Sequence, residues 1–260
     1  MIELKDVCKS FRGTPILKGV NLCVEAGETM VIVGSSGTGK SVTLKHMVGL
    51  LQPDSGQVLI DGIDMTKARG RELETLREKF GVLFQSGALI NWMTVSENIA
   101  LPLYEKTNMS DSEIQQAVRE KLATVNLFDC DNKRPDEISG GMKKRAALAR
   151  AIINHPQILL YDEPTSGLDP VMSRMIDDLI KDMQRKLKVT SVVVTHDLHS
   201  AFSIGDRIAM LYKGEVAEVG TPEAFVNSKH NFVQQFIAAQ FSSGKLDETK
   251  ILTSVRFSED

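Results

Sequence analysis

The chain has 260 residues, 42% of them hydrophobic and 25% charged, with a formal net charge of −3. That profile belongs to an ordinary globular protein at the upper end of one domain, with room for a smaller inserted subdomain. The charge gives no basic field of the kind that long nucleic-acid contacts need, so no nucleic-acid partner is expected. Cys8, Cys23 and Cys130 are scattered, odd in number and without metal-ligand spacing, which suits a reducing cytoplasm and small buried hydrophobes. Met1-Ile2-Glu3-Leu4-Lys5-Asp6 has no signal-peptide pattern. No run approaches the ~18 apolar residues that a membrane span requires, so a role at a membrane is expected to come from docking onto another chain.

In chain order, Ile2/Leu4 and Val20/Leu22/Val24 alternate as strands do, with turn signals at Arg12-Gly13 and Ala26-Gly27. Thr29 to Val33 reads as a buried strand, followed by a glycine-rich turn and a helix from Lys40 to Leu50. Val58 to Ile60 is a further strand, ended by Asp61-Gly62. From about 86 to 156 the pattern turns helical. Ser110-x-x-Glu113 forms a capping box, and Ile114, Ala117, Val118, Leu122 and Val125 share one face behind it. Strand signals return at Ile158 to Tyr161 and Val189 to Thr195. Between them Asp169 is the N-cap and Pro170 the first residue of a helix with Ile176, Leu179, Ile180, Met183 and Leu187 on its apolar face. Arg207 to Tyr212 and Val216 to Val219, joined by Lys213-Gly214, predict a hairpin, and the last twenty residues are polar and mixed. Strands alternating with helices imply an α/β fold with a mostly parallel sheet covered on both faces.

Gly34-Ser35-Ser36-Gly37-Thr38-Gly39-Lys40-Ser41 matches the phosphate-loop pattern G-x-x-x-x-G-K-[ST], with an apolar strand before it and a helix after it. Glycines let the backbone curl so that successive N–H groups aim at phosphate oxygens, and the helix brings its positive dipole end to the same anion. Lys40 would neutralise the β and γ phosphates and the Ser41 hydroxyl would ligate Mg²⁺. Ile158-Leu159-Leu160-Tyr161-Asp162-Glu163 is an apolar strand ending in two acids. Such a strand carries its carboxylates to the carboxyl edge of a parallel sheet, where ligands bind. Asp162 can hold Mg²⁺ and Glu163 can polarise an attacking water.

With these motifs and Ser139-Gly140-Gly141-Met142 ahead of Lys143-Lys144-Arg145, the sequence resembles the ATP-binding cassette (ABC) ATPases over about residues 1 to 240. The resemblance implies a P-loop NTPase (RecA-like) core with an N-terminal antiparallel β subdomain, a helical insertion at about 86–156, and a polar extension over 241–260. It also implies ATP and Mg²⁺ as cofactors. Ser139, Gly140, Gly141 and Met142 would form the signature that faces the γ-phosphate held by the opposite subunit. Ser166-Gly167-Leu168-Asp169 matches the loop between the two sites, and His196 matches the switch histidine at the γ-phosphate. Gln85 matches the glutamine that senses Mg²⁺ and water and links the site to the transmembrane partner. Phe11 takes the place of the aromatic that stacks on adenine, with a core residue as the alternative. Two departures stand out: Met142 replaces the usual glutamine, and Val42 stands where threonine is common. Backbone N–H groups remain, so hydrolysis is expected to survive both.

Met142-Lys143-Lys144-Arg145, Lys40-Ser41-Val42-Thr43-Leu44-Lys45, Phe84-Gln85-Ser86-Gly87-Ala88-Leu89 and Glu97-Asn98-Ile99-Ala100-Leu101-Pro102-Leu103 together are similar to the ATPase subunits of Mce/Mla-type lipid transporters. That resemblance implies a homodimer, peripheral on the cytoplasmic face of the inner membrane, driving permease subunits with an Mce-type lipid-binding component. The 85–103 segment would receive the permease, with Trp92 either at that contact or in the core. A polar solute is the alternative cargo, and a non-transport ABC ATPase or a non-cycling regulator the alternative class.

Overall fold

The computed structural model describes residues Met1–Phe241, so the polar extension expected over 241–260 lies, apart from Phe241, outside the described residues. The chain divides into two compact units, one made of Met1–Arg77 and the chain from Thr190 onward, the other of Glu78–Val189.

The first unit begins with β1 (Ile2–Phe11) and β2 (Thr14–Val24), then β3 (Thr29–Val33), α1 (Lys40–Met47), β4 (Ser55–Ile60), β5 (Ile63–Asp64) and α2 (Gly70–Glu78) at its boundary. β1 and β2 form an antiparallel hairpin through Arg12-Gly13, and β4 joins β1 on its other side to give a sheet in the order β2-β1-β4-β5. Ile2, Leu4, Val20, Leu22 and Val24 all face inward and are buried. The alternation slips after Leu4, so that Val7 is the next buried residue; the register shifts at the same place, where Asp6 has φ 49. One irregular residue thus resets which side chains face the core.

β3 is buried along its whole length, as its β-branched run predicts for a strand covered on both faces. The helix expected over 40–50 ends at Met47. Gly49 at φ 68 turns the chain, and its N–H bonds the His46 carbonyl while the Leu50 N–H bonds that of Lys45.

The second unit holds β6 (Phe80–Leu83), α3 (Val95–Lys106), α4 (Asp111–Thr124), α5 (Gly140–Ile152), β7 (Ile158–Asp162) and α6 (Pro170–Leu187). β6 and β7 pair in parallel, from Phe80 opposite Ile158 to Leu83 opposite Tyr161. The helical character from residue 86 onward resolves into α3, α4 and α5. The capping box at Ser110 and Glu113 starts α4, whose Ile114, Val118 and Leu122 are buried, as is Val125 beyond it. A second capping box, Thr94 with Glu97, starts α3. Asp169 caps α6, accepting from the Val171 and Met172 N–H groups at 3.0 Å each. Ile176, Leu179, Ile180 and Met183 are buried, whereas Leu187 is partly exposed because the helix outruns its core there.

The first unit continues with β8 (Thr190–Thr195), α7 (Leu198–Ile204), β9 (Arg207–Tyr212), β10 (Glu215–Gly220), α8 (Pro222–Val226) and α9 (Asn231–Phe241) among the described residues. β3 lies between β8 and β9, parallel to both, and β10 returns antiparallel on β9 through Lys213-Gly214.

His46 on α1 is 1% exposed. Its Nδ1 sits 2.7 Å from the Leu51 carbonyl, and its Nε2 is buried without a hydrogen-bond partner. Burial chiefly lowers its pKa, with Lys9 adding to the effect against the Leu51 bond. The neutral ring therefore donates from Nδ1, and protonating Nε2 would bury an unpaired charge. Because the folded pKa lies below the unfolded value, the unfolded chain binds more protons, and stability falls as pH drops below about 6.5. His46→Gln, which can still donate to Leu51, is expected to flatten the loss of stability between about pH 7 and pH 5. Urea midpoints of both proteins across that range check it; identical slopes would remove His46 as the cause.

Candidate functional site

In the first unit, Val33 at the end of β3 is in register with Thr195 on β8 and with Met210 on β9. Parallel strands in register end at one edge, so the loop after Val33 and His196 after Thr195 leave from neighbouring strand ends. Gly34 has φ 154, and a Cβ there would stand 2.4 Å from the Leu211 carbonyl oxygen. Only glycine lets the chain turn this close to β9. Gly37 has φ 80 and Gly39 φ 102, left-handed positions that curl the loop. The Thr38 hydroxyl ties the curl by donating to the Ser35 carbonyl at 2.9 Å.

Gly39 is the N-cap of α1 and offers no side chain to its first turn. The N–H groups of that turn therefore have no side-chain cap to compete with an anion. Lys40 is 7% exposed. Its Nζ donates to the carbonyls of Gly34 at 2.7 Å and Ser35 at 3.1 Å, which holds the ammonium inside the loop. Ser35, Ser36 and Gly37 are exposed, and Ser41 and Val42 are half-buried. Phe11 stands at the end of β1 with 44% of its surface exposed and Lys9 Nζ 5.7 Å from its ring centroid, so it is not part of the core.

In the second unit, β7 ends at Asp162, and Glu163 follows with φ 48. A left-handed glutamate costs roughly 1 kcal/mol or more, and such strain concentrates where a side chain must be aimed. The turn continues through Ser166 N–H to the Glu163 carbonyl at 3.2 Å and Leu168 N–H to Thr165, which delivers Asp169 to its cap. Gln85, exposed after β6, donates from Nε2 to the Ser166 hydroxyl at 3.3 Å. Ser139 caps α5 by accepting the Met142 N–H at 3.3 Å. Met142 thus contributes a backbone donor that any residue would supply, and its loss of the usual glutamine side chain leaves this bond intact. Trp92 is 79% exposed, so the core alternative for it does not hold.

Lys144 is the residue that motif reading passed over as one of three basic residues after the signature. It is buried on α5, one turn after Ser139-Gly140-Gly141, and its Nζ donates to the backbone carbonyls of both Gln85 and Glu163. One ammonium therefore ties the signature helix to the Gln85 loop and to the end of β7. Burial lowers its pKa, opposed by Asp162 and Glu163. No periodicity signals such a bond, because both acceptors are main-chain atoms distant in sequence. In all, the loop and His196 come together in the first unit, and Gln85, Glu163 and Ser166 in the second. Phe11 is tied by ring contact to Lys9.

The family model described as ABC transporter matches residues 17–166. The chain is 44% identical over 236 residues to the probable ribonucleotide transport ATP-binding protein Mkl of Mycobacterium tuberculosis, covering 91% of this chain and 66% of that one. It thus spans just under two thirds of that relative's length. It is 38% identical over 240 residues to the intermembrane phospholipid transport system ATP-binding protein MlaF of Haemophilus influenzae, covering 92% and 91%. Among solved structures it is similar to the dimeric, post-hydrolysis ATP-binding cassette MJ0796 bound to ADP and Pi. The TM-score is 0.79 at 37% identity, over 85% of this chain and 99% of that one.

Replacing Lys144 by Met keeps the volume but leaves two inward carbonyls without their donor, which is expected to cost about 1–3 kcal/mol of stability. Lys144→Arg can reach the same acceptors and should recover most of it. Urea unfolding of the two variants checks this, and a Met variant as stable as the original would show that the carbonyls find other donors.

Proposed function

The chain belongs to the ABC transporter family, and on that premise we propose that it binds and hydrolyses ATP to drive a separate membrane permease. The observation that carries this reading is the loop Gly34–Ser41, curled by left-handed glycines, with the Lys40 ammonium held inside it by two loop carbonyls. Such a loop offers backbone N–H groups and a fixed cation to a polyphosphate and little to anything else.

Gly34, Ser35, Ser36, Gly37, Thr38, Gly39, Lys40, Ser41 and Val42 hold the phosphates, and Phe11 stacks on the adenine. Asp162, Ser41 and Gln85 offer a carboxylate, a hydroxyl and an amide oxygen. These are the hard oxygen donors that Mg²⁺ takes alongside phosphate and water. A bound Mg²⁺ supplies neutralisation of the charge that builds on the phosphates. Glu163 polarises the attacking water, and His196 contacts the γ-phosphate. Ser139, Gly140, Gly141 and Met142 serve the nucleotide of a second copy, so two chains pair head to tail around two ATP, with Asp169 in the loop that passes between the sites. The dimeric MJ0796 cassette supports this arrangement. Closure on ATP and reopening after phosphate release would move the permease.

No helix among the described residues is long and apolar enough to cross a membrane. We place the chain on the cytoplasmic face of the inner membrane through its permease, with an Mce-type component beyond it. The cargo we propose is phospholipid or a related lipid, from the name of the MlaF relative and the matched length of both chains. The ribonucleotide transport named for the mycobacterial relative, at higher identity, is the second reading.

Glu163→Gln is expected to lower turnover at least a hundredfold, about the least that loss of a general base costs, while ATP binding and a closed dimer persist. Normal turnover in that variant would overturn the role of Glu163. Ser139→Arg should leave ATP on the loop but prevent closure, measured as loss of the ATP-dependent dimer in gel filtration. Purification from detergent-solubilised membranes should yield a permease with bound phospholipid. A permease carrying ribonucleotide instead would sink the lipid reading and leave the ATPase reading standing.

A further inference from the structure

The last described helix, α9, is held to the rest of its unit by buried Val233 and Ile237 and by stacking of Phe232 on Tyr212. Its last turn does something more specific. Gln240 Oε1 accepts the Leu198 N–H at 2.9 Å, and Gln240 Nε2 donates to the His196 carbonyl at 2.6 Å. One side-chain amide thus grips the backbone on both sides of Asp197, as a neighbouring strand would. The Phe241 ring lies 4.4 Å from that of His199 and 5.9 Å from that of Phe202, which seats the end of α9 against the start of α7.

Further bonds lie within the segment itself. The Asp197 N–H donates to the Thr195 hydroxyl at 3.0 Å, and the Asp197 carboxylate caps α7 through the His199 N–H at 2.8 Å. Those bonds fix the turn's shape. The grip from Gln240 fixes where the turn sits relative to α9. It acts on the His196 main chain only and leaves the exposed imidazole to its own contacts.

We infer that Gln240 is a positioning residue for His196: its amide clips the switch segment to α9, so that the hydrolytic rate, but not ATP affinity, depends on α9 being seated. The inference rests on the reading of His196 as the γ-phosphate contact. An amide bonded to two backbone groups sets the orientation of the His196 peptide and hence the direction of its side chain. Each such bond is modest in strength, so the clip can open without unfolding the unit. Whatever docks on or displaces α9 would then reach the active site through two hydrogen bonds.

The test uses the full chain with ATP and two substitutions. Gln240→Met keeps the length and loses both bonds; Gln240→Glu keeps an acceptor for Leu198 N–H but turns a carboxylate oxygen against the His196 carbonyl. Both are expected to lower kcat roughly five- to tenfold, the worth of one or two hydrogen bonds, with KM for ATP within about twofold. Unchanged kcat in both overturns the clip. So does a silent Glu variant beside an impaired Met variant, since that result assigns the effect to the capping of α7 alone. A matched rise in KM overturns it too, by showing a general loss of structure. His196→Ala separates the two layers of the argument. Wild-type turnover there removes the premise, whereas slow turnover there beside normal Gln240 variants removes only the clip.

Discussion

The first unit depends on one close approach, that of Gly34 to the main chain of β9. β3 is fully buried and bonded on both sides, by β8 and by β9, so its end cannot shift to relieve crowding. The chain must turn within a space where a single methyl group would stand 2.4 Å from the Leu211 oxygen. With that turn made, the loop's remaining geometry follows: left-handed Gly37 and Gly39, the Thr38 tie and an uncapped α1. Any larger residue at position 34 would push the loop off the strand edge and take the first turn of α1 with it.

The second unit uses a cation for the same purpose. Burying an ammonium is costly unless its donors are satisfied. Lys144 meets that condition with the carbonyls of Gln85 and Glu163. The result is that the loop after β6, the turn after β7 and the signature helix share one point of attachment. Structural cost and functional arrangement are coupled here, because the residues joined by the lysine are those proposed to sense and activate water.

The two kinds of anchor differ in stiffness. Gly34 is fixed by a close approach to the Leu211 carbonyl that leaves no room for a side chain. The segment after β8 is held by the buried start of α7 and by hydrogen bonds, two of them from the end of α9. The proposed cycle, which binds and then releases phosphate, would use both: a fixed cradle and a sensor whose seat can change.

Short-range chemistry was legible in the sequence. The phosphate loop, the two acids after an apolar strand, the Asp169 cap and the Ser110–Glu113 box each depend on residues within a few positions of one another, and each declares itself by spacing. The same holds for β3, whose unbroken apolar run needs no partner to be recognised. The end of α1 was missed by a few residues because Gly49 acts through its backbone angle, which a hydrophobic period does not register. Whether Phe11 and Trp92 are buried could not be read either, since an aromatic residue looks alike at a surface and in a core until its neighbours are in place. Lys144 and Gln240 lay further out of reach. Their partners are main-chain carbonyls and an N–H group, which every residue carries, brought near by chain that is distant in sequence. The sequence by itself determined which groups are proposed to meet the phosphates; only the tertiary structure decided what holds those groups still, because backbone acceptors leave no mark in the alphabet of side chains.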